Sequence, residues 1–225
     1  MRIGLTGTYS SGKTLTSLVA SRYLGVPRTE ASTMREILPH AAPGKTLEEC
    51  TAAQLIQMIV ARHSERVVHE SRLSPEFISD GCSLQEWIYG SVRVKYGINP
   101  NASIHLAPDE SVEKTGELAL FEDVMWELGK AFKRHVKSSF DHFVHLRNEL
   151  PLAKDGHRPV NENFRRSSDE FLLTTLDEME MPYTVIGGTL EERADRIAEI
   201  FGKEPVMPVA EAVRHASAHY ATLLM

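Results

Sequence analysis

Residues 7–14 read Gly-Thr-Tyr-Ser-Ser-Gly-Lys-Thr, and this turn limits what can stand on either side of it. The pattern glycine, four residues, glycine, lysine, threonine is that of a phosphate-cradling loop, which needs a buried strand before it and a helix after it. Both are present. Met1-Arg2-Ile3-Gly4-Leu5-Thr6 is short and apolar enough for a first strand, and Leu15, Leu18, Val19 and Tyr23 recur at helical spacing until Gly25, a suitable C-cap. In that setting the backbone N–H groups at the helix start, aided by the helix dipole, would hold the phosphates of a nucleotide. Lys13 would reach the outer phosphates and the Thr14 hydroxyl would hold Mg²⁺. Gly7, Thr8, Tyr9, Ser10, Ser11, Gly12, Lys13 and Thr14 are therefore the expected binding set for a nucleoside triphosphate.

The rest of the chain alternates between strand and helix. Strands are predicted over 26–30, 75–80, 142–146 and 183–186. Helices are predicted over 33–39, 46–71, 83–97, from about 112 to 136, 167–180 and 189–202, most opened by a Ser/Thr-x-x-Glu capping box. This rhythm implies an α/β protein with a parallel five-stranded sheet flanked by helices, the P-loop NTPase fold. The expected organisation is one P-loop kinase domain over 1–202 and a C-terminal helical extension over 203–225. Residues 147–166 are polar and hold Arg147, Lys154, Arg158, Arg165 and Arg166 with two prolines, so they read as a loop suited to a lid.

Composition excludes several classes. With 42% hydrophobic and 25% charged residues in 225, the chain has the make-up of a globular protein. No apolar run approaches a membrane span, and the N-terminus enters the first strand without a signal-peptide pattern. Two cysteines, Cys50 and Cys82, lack metal spacing and point to a reducing, cytoplasmic setting. A net charge of −6 disfavours nucleic acid as the partner. His215 and His219 share a helix face but lack a third ligand, so a surface pair is expected.

Ligands of such sheets bind outside the carboxyl ends of the strands. Three features fall there. Asp80 closes its strand as either a Mg²⁺-holding carboxylate or the first residue of an Asp-Gly turn. Glu30 is either the base that accepts a substrate proton or a solvated carboxylate. Arg158, Arg165 and Arg166 either close over phosphates or stay in solvent.

The arrangement resembles the P-loop kinases of the nucleoside and nucleotide type. It is most similar to the ribosylnicotinamide kinase domain of bifunctional NAD-biosynthesis regulators and the AAA-like ATPase family grouped with it. The likeness spans roughly residues 1 to 201. It is carried by residues 7–14, by Glu30 and by Phe77-Ile78-Ser79-Asp80-Gly81. The run Leu150-Pro151-Leu152-Ala153-Lys154-Asp155-Gly156-His157-Arg158 with Arg165 and Arg166, and Tyr183 to Arg193, complete it. Two positions differ from related nucleoside kinases: Gly81 follows the strand aspartate where an arginine often stands, and the arginine after Glu30 comes only at Arg35. The resemblance implies ATP as phosphoryl donor, Mg²⁺, and Glu30 or Asp80 as the base.

The expected activity is transfer of the γ-phosphoryl group of ATP to a small acceptor, a nucleoside or nucleotide. Lys13, Glu30, Asp80, Arg158, Arg165 and Arg166 are the candidate catalytic groups, and Thr14 and Asp80 the metal ligands. The alternatives are a nucleotide-dependent switch with slow hydrolysis and a kinase of modified bases in DNA. Lys13 provides the first test. Lys13→Ala should lower triphosphate affinity by about a hundredfold or more while leaving the melting temperature within a few degrees, because its charge serves phosphate and not the core. Unchanged affinity in a folded variant would remove the loop from the argument.

Overall fold

The computed structural model describes residues 1–29, 31–73, 75–153 and 159–223. Four strands, β1 (Arg2–Thr6), β2 (Phe77–Asp80), β3 (His142–Leu146) and β4 (Tyr183–Ile186), form one parallel sheet in the order β2-β1-β3-β4. Eight helices surround it among the described residues: α1 (Lys13–Leu24), α2 (Met34–Ala41), α3 (Ala52–Leu73), α4 (Ser83–Tyr96), α5 (Gly116–Ser139), α6 (Glu162–Glu178), α7 (Leu190–Phe201) and α8 (Val209–Leu223). Parallel neighbours need crossovers, and the helices supply them while covering both faces.

Strand alternation divides the core in two. Ile3 and Leu5, Ile78, Val144 and Leu146, and Ile186 meet α1, α7 and α8. Phe77 and Phe143 face the other way, into a larger cluster with α2 through α6. On β1 the residue facing that side is Gly4, and the Phe143 ring lies where a β-carbon would be. The alternation also sorts the polar strand ends. Ser79 turns towards α3, where it meets Glu70, and Asp80 turns towards α1.

Among the described residues the sheet has four strands and not five. Where the sequence predicts the further strand, over 26–30, the chain makes one parallel bridge, Arg28 with Ile78. Ile78 N–H donates to Pro27 O at 2.9 Å and Thr29 N–H to Ile78 O at 3.0 Å. Pro27 has no N–H to extend the ladder backwards.

Three helix starts also differ from expectation. The box Thr46-Leu47-Glu48-Glu49 closes only a 3₁₀ turn, Leu47–Glu49, because Cys50 is extended (φ −71°, ψ 139°). A second box, Thr51 with Gln54, opens α3. Thr115 caps α5 by accepting from Leu118 N–H, so the helix starts at Gly116, four residues later than predicted. Asn161 caps α6 by accepting from Phe164 N–H at 3.0 Å. The loop predicted over 147–166 therefore ends in a helix, and Arg165 and Arg166 belong to α6. The predicted start at Ser167 was set by the more regular Ser-Ser-Asp-Glu pattern, which here lies inside the helix.

The C-terminal helix packs tightly. Ala212 and Ala216 of α8 are fully buried in the cluster shared with α1 and α7, and Val206 N–H donates to Tyr23 O at 2.8 Å. His215 lies near Glu211 and His219 against Arg22. Among the described residues no three His, Cys, Asp or Glu side chains gather as a metal site, and no helix is long and apolar enough to cross a membrane.

Between α3, α4 and α5 the His63 ring stacks on Phe132 with centroids 4.0 Å apart, and its Nδ1 meets Ser83 Oγ at 2.8 Å. Burial, then the neighbouring His135, lowers the His63 pKa to about 4. Between the ordinary value near 6.5 and about 4, the unfolded chain binds a proton that the folded chain does not. Stability should therefore fall as pH drops from 6.5 towards 4. Urea midpoints at pH 7.5 and 5.0 check this, and His63→Gln should flatten the decline; a decline just as steep in the variant would acquit His63.

Candidate active site

The loop between β1 and α1 has the backbone its sequence requires. Gly7 has φ +131°, and a β-carbon there would stand 2.9 Å from Leu146 O. Gly12 adopts φ +87°, which glycine takes freely, and Ser10 adopts φ +60°, a left-handed conformation that costs a serine energy unless held. Lys13 Nζ donates back to Gly7 O at 2.6 Å and Thr8 O at 2.8 Å. Those carbonyls hold the ammonium at the loop, where it can pass to a phosphate. Ser11 Oγ–H donates to Thr8 O at 3.0 Å, and Thr14, on the first turn of α1, is half-buried.

Three neighbouring elements fix the loop. From α4, Gln85 Nε2 donates to Gly7 O at 2.5 Å. From α7, Arg193 Nη1 donates to Ser11 O at 3.0 Å while its Nη2 pairs with Glu149 at 2.9 Å. The Glu149 carboxyl is held below its ordinary value by Gly188 N–H and then by Arg193. From the turn after β3, Asn148 Oδ1 accepts from Thr8 Oγ1 at 2.6 Å. Ser10 Oγ accepts from Ala153 N–H at 2.9 Å. Tyr9 leaves the loop to stack on Tyr89 at 4.2 Å between centroids, and burial pushes its phenol up.

Around this loop the predicted residues separate. Asp80 ends β2, directly beside β1 in register with Leu5, and its Oδ2 pairs with Arg28 Nη2 at 2.8 Å. Arg28 also donates to Ser17 Oγ at 2.7 Å, which ties Asp80 to the α1 turn that follows Thr14. Arg165 lies 4% exposed on α6 and reaches Thr8 Oγ1 at 3.4 Å and Asn148 Oδ1 at 3.2 Å. Arg166, next to it, is exposed and bonds Asn163 on its own helix. Glu30 and Arg158 lie outside the described residues, as does the side chain of Arg35.

Several residues at the site were missed by the sequence reading. Asn148 and Glu149 had no periodic signal. Arg193 did have one, in line with Ile197 and Phe201 on the buried face of α7, and so did Arg62, Arg66 and Gln85. Leu55, Met58, Ile59, Arg66 and Glu70 are all buried along α3, so a core-facing stripe passes from apolar to charged without a break. Charges on the buried stripe of a helix need partners or a ligand, and this was legible.

The chain over residues 2–193 matches the family model described as an AAA domain, and it belongs to that family. No curated protein matches it. Among solved structures it is similar to deoxyadenosine kinase from M. mycoides. The form with bound dATP gives a TM-score of 0.60 at 18% identity, over 90% of this chain and 100% of that one. The form with bound dCTP gives 0.57 at 17% identity, over 90% and 99%. At this identity the likeness establishes the fold.

The Asp80 carboxylate, set beside the loop and tied to α1, yields a prediction. Asp80→Asn should lower turnover by about a hundredfold or more while changing nucleotide affinity without Mg²⁺ by less than about threefold. Wild-type turnover of the variant at saturating Mg²⁺ would return Asp80 to a turn residue.

Proposed function

We propose that the protein is a P-loop kinase that transfers the γ-phosphoryl group of ATP to a small acceptor, a nucleoside or nucleotide. One observation supports this above the others. Arg165 is a buried guanidinium at the phosphate loop whose close partners, Thr8 and Asn148, are neutral. Its nearest carboxylate among the described residues, the exposed Glu162, is 3.6 Å away. A buried cation whose carboxylate partner is distant and screened by solvent is short of counter-charge, and a triphosphate on the loop would supply it. The names of the similar structures, deoxyadenosine kinases, agree with this reading, and ribosylnicotinamide is an acceptor of the same chemical class.

In this mechanism Lys13 leaves the Gly7 and Thr8 carbonyls for the β- and γ-phosphates. An acceptor oxygen attacks the γ-phosphorus, its bond to the β,γ-bridging oxygen breaks, and ADP leaves with the electron pair. Where the acceptor is a hydroxyl, its proton passes to Glu30 or Asp80. Arg165, anchored by α6 and Asn148, meets charge that builds on the transferred group. The donor set of one hydroxyl, Thr14, and one carboxylate, Asp80, suits Mg²⁺, which is commonly held by one or two carboxylates with substrate phosphates and water. Bound there, the ion would neutralise the phosphate oxygens.

Labelled ATP offered with nucleosides (ribosylnicotinamide included), nucleotides and DNA should label a small acceptor. Arg165→Ala should lower kcat by about a thousandfold with a much smaller rise in KM for ATP, as for arginines that act on the transition state. Wild-type kcat in the variant, or ATP hydrolysis with no acceptor labelled, would sink the kinase and favour the switch.

A further inference from the structure

Beside the phosphate loop, between α3 and α4, lies a polar set that the fold does not satisfy. Arg62 and Arg66, one turn apart on α3, both approach the same oxygen of Glu86, Oε1, at 3.1 and 3.5 Å. Arg66 is 3% exposed and Glu86 5%. Two guanidiniums thus share one carboxylate. The next carboxylate on α3, Glu70, is occupied by Ser79 and His135. Arg62 Nε and Arg66 Nε and Nη1 are buried and find no hydrogen-bond partner among the described residues, while the buried Gln85 Oε1 and Tyr89 hydroxyl have one another's side chain beside them. Each such buried group costs stability, more when charged, so a cluster of them calls for a ligand.

The position of the set indicates what that ligand does. Gln85 and Lys13 donate to one acceptor, the carbonyl of Gly7, so the set adjoins the lysine assigned to the outer phosphates. Gly81, next to Asp80, has φ +86°, and a β-carbon there would stand 2.8 Å from Gln85 Oε1 and 3.0 Å from Arg66 Nη2. The missing side chain at 81 leaves room for those two groups at the end of β2. Tyr9 stacks on Tyr89, with the buried Phe164 ring near-parallel to both, so an aromatic stack adjoins the set.

We propose that Arg62, Arg66, Gln85 and Tyr89 form the acceptor subsite and that it takes an acceptor already bearing a phosphate, a nucleoside 5′-monophosphate. The inference rests on the kinase reading for its reaction and on two guanidiniums sharing one carboxylate for its ligand. The acceptor phosphate binds against Arg62 and Arg66, where its charge balances the second guanidinium. One of its ionised oxygens attacks the γ-phosphorus of ATP, the β,γ-bridging bond breaks, and the products are ADP and a nucleoside diphosphate. An ionised oxygen requires no general base. That matches the set, whose one carboxylate, Glu86, is tied to both arginines and is poorly placed to take a proton.

The test is calorimetric titration of dAMP, dCMP, dGMP and dTMP against the matching deoxynucleosides, with and without a non-hydrolysable ATP analogue. At least one monophosphate should bind more than about tenfold tighter than its nucleoside. Arg62→Gln, at the less buried of the two arginines, should reduce that preference to below about threefold with the ATP-analogue affinity unchanged. Arg66→Lys, which keeps the charge and loses the planar fork, should fall between the two. Melting curves identify any variant that fails to fold. Nucleosides binding as tightly as their monophosphates, or a preference that survives in both folded variants, would overturn the subsite. Loss of ATP-analogue binding with the monophosphate preference intact would instead overturn the kinase reading and keep the phosphate subsite.

Discussion

Arg193 on α7 and Gln85 on α4 reach the phosphate loop from opposite sides of the sheet, one at Ser11 O and the other at Gly7 O. Between those points Ser10 adopts a left-handed conformation. A conformation of this kind persists only where its surroundings hold it. The alternation of the strands sends α1, α7 and α8 to one face and α3 through α6 to the other, and each layer supplies one of the two clamps. The layers thus serve the loop as well as the core. A loop shaped before its ligand arrives pays less ordering cost on binding.

Charge buried near the loop follows the same logic. Arg165 and Arg66 are nearly inaccessible; among the described residues Arg165 pairs with the exposed Glu162, at 3.6 Å, and Arg66 shares Glu86 with Arg62. Arg193, equally buried, has Glu149 at 2.9 Å, and its other contacts are to the loop. The difference separates a cation that builds the site from cations that await an anion. A buried ion pair is weak evidence for stability, whereas buried guanidiniums short of counter-charge are evidence for a ligand.

Much of this was legible in the sequence, for reasons that differ by element. The loop, β1 and α1 could be read because the glycine spacing and the helical stripe agree. Phe77-Ile78-Ser79-Asp80 could be read as a strand ending at the site because its apolar run stops in a carboxylate. The further strand over 26–30 failed at Pro27, whose missing N–H weighed more than the extended composition around it. The start of α6 failed because Asn161, a single capping side chain without a glutamate three residues on, was outranked by a fuller pattern inside the helix. Asn148 could not be read at all, since its role depends on β3 ending beside β1, a relation set by the order β2-β1-β3-β4.

The four residues of β2 show how one strand serves two sides of a reaction. Period-two alternation sends Ile78 and Asp80 towards α1, which bears Thr14 and Ser17, and sends Phe77 and Ser79 towards α3. The carboxylate proposed to hold a metal therefore lies on the side of the helix proposed to hold the donor nucleotide. In that reading the α3 side, with Arg62 and Arg66, is left for a second molecule. A shift of one residue in register would exchange Asp80 and Ser79 between these faces, placing a carboxylate beside Glu70 and a hydroxyl beside Arg28. Glu70 already occupies Ser79 and His135 in a buried site, so two carboxylates there would repel with little water to screen them. The same buried charges that prepare the site thus oppose the wrong register of the strand.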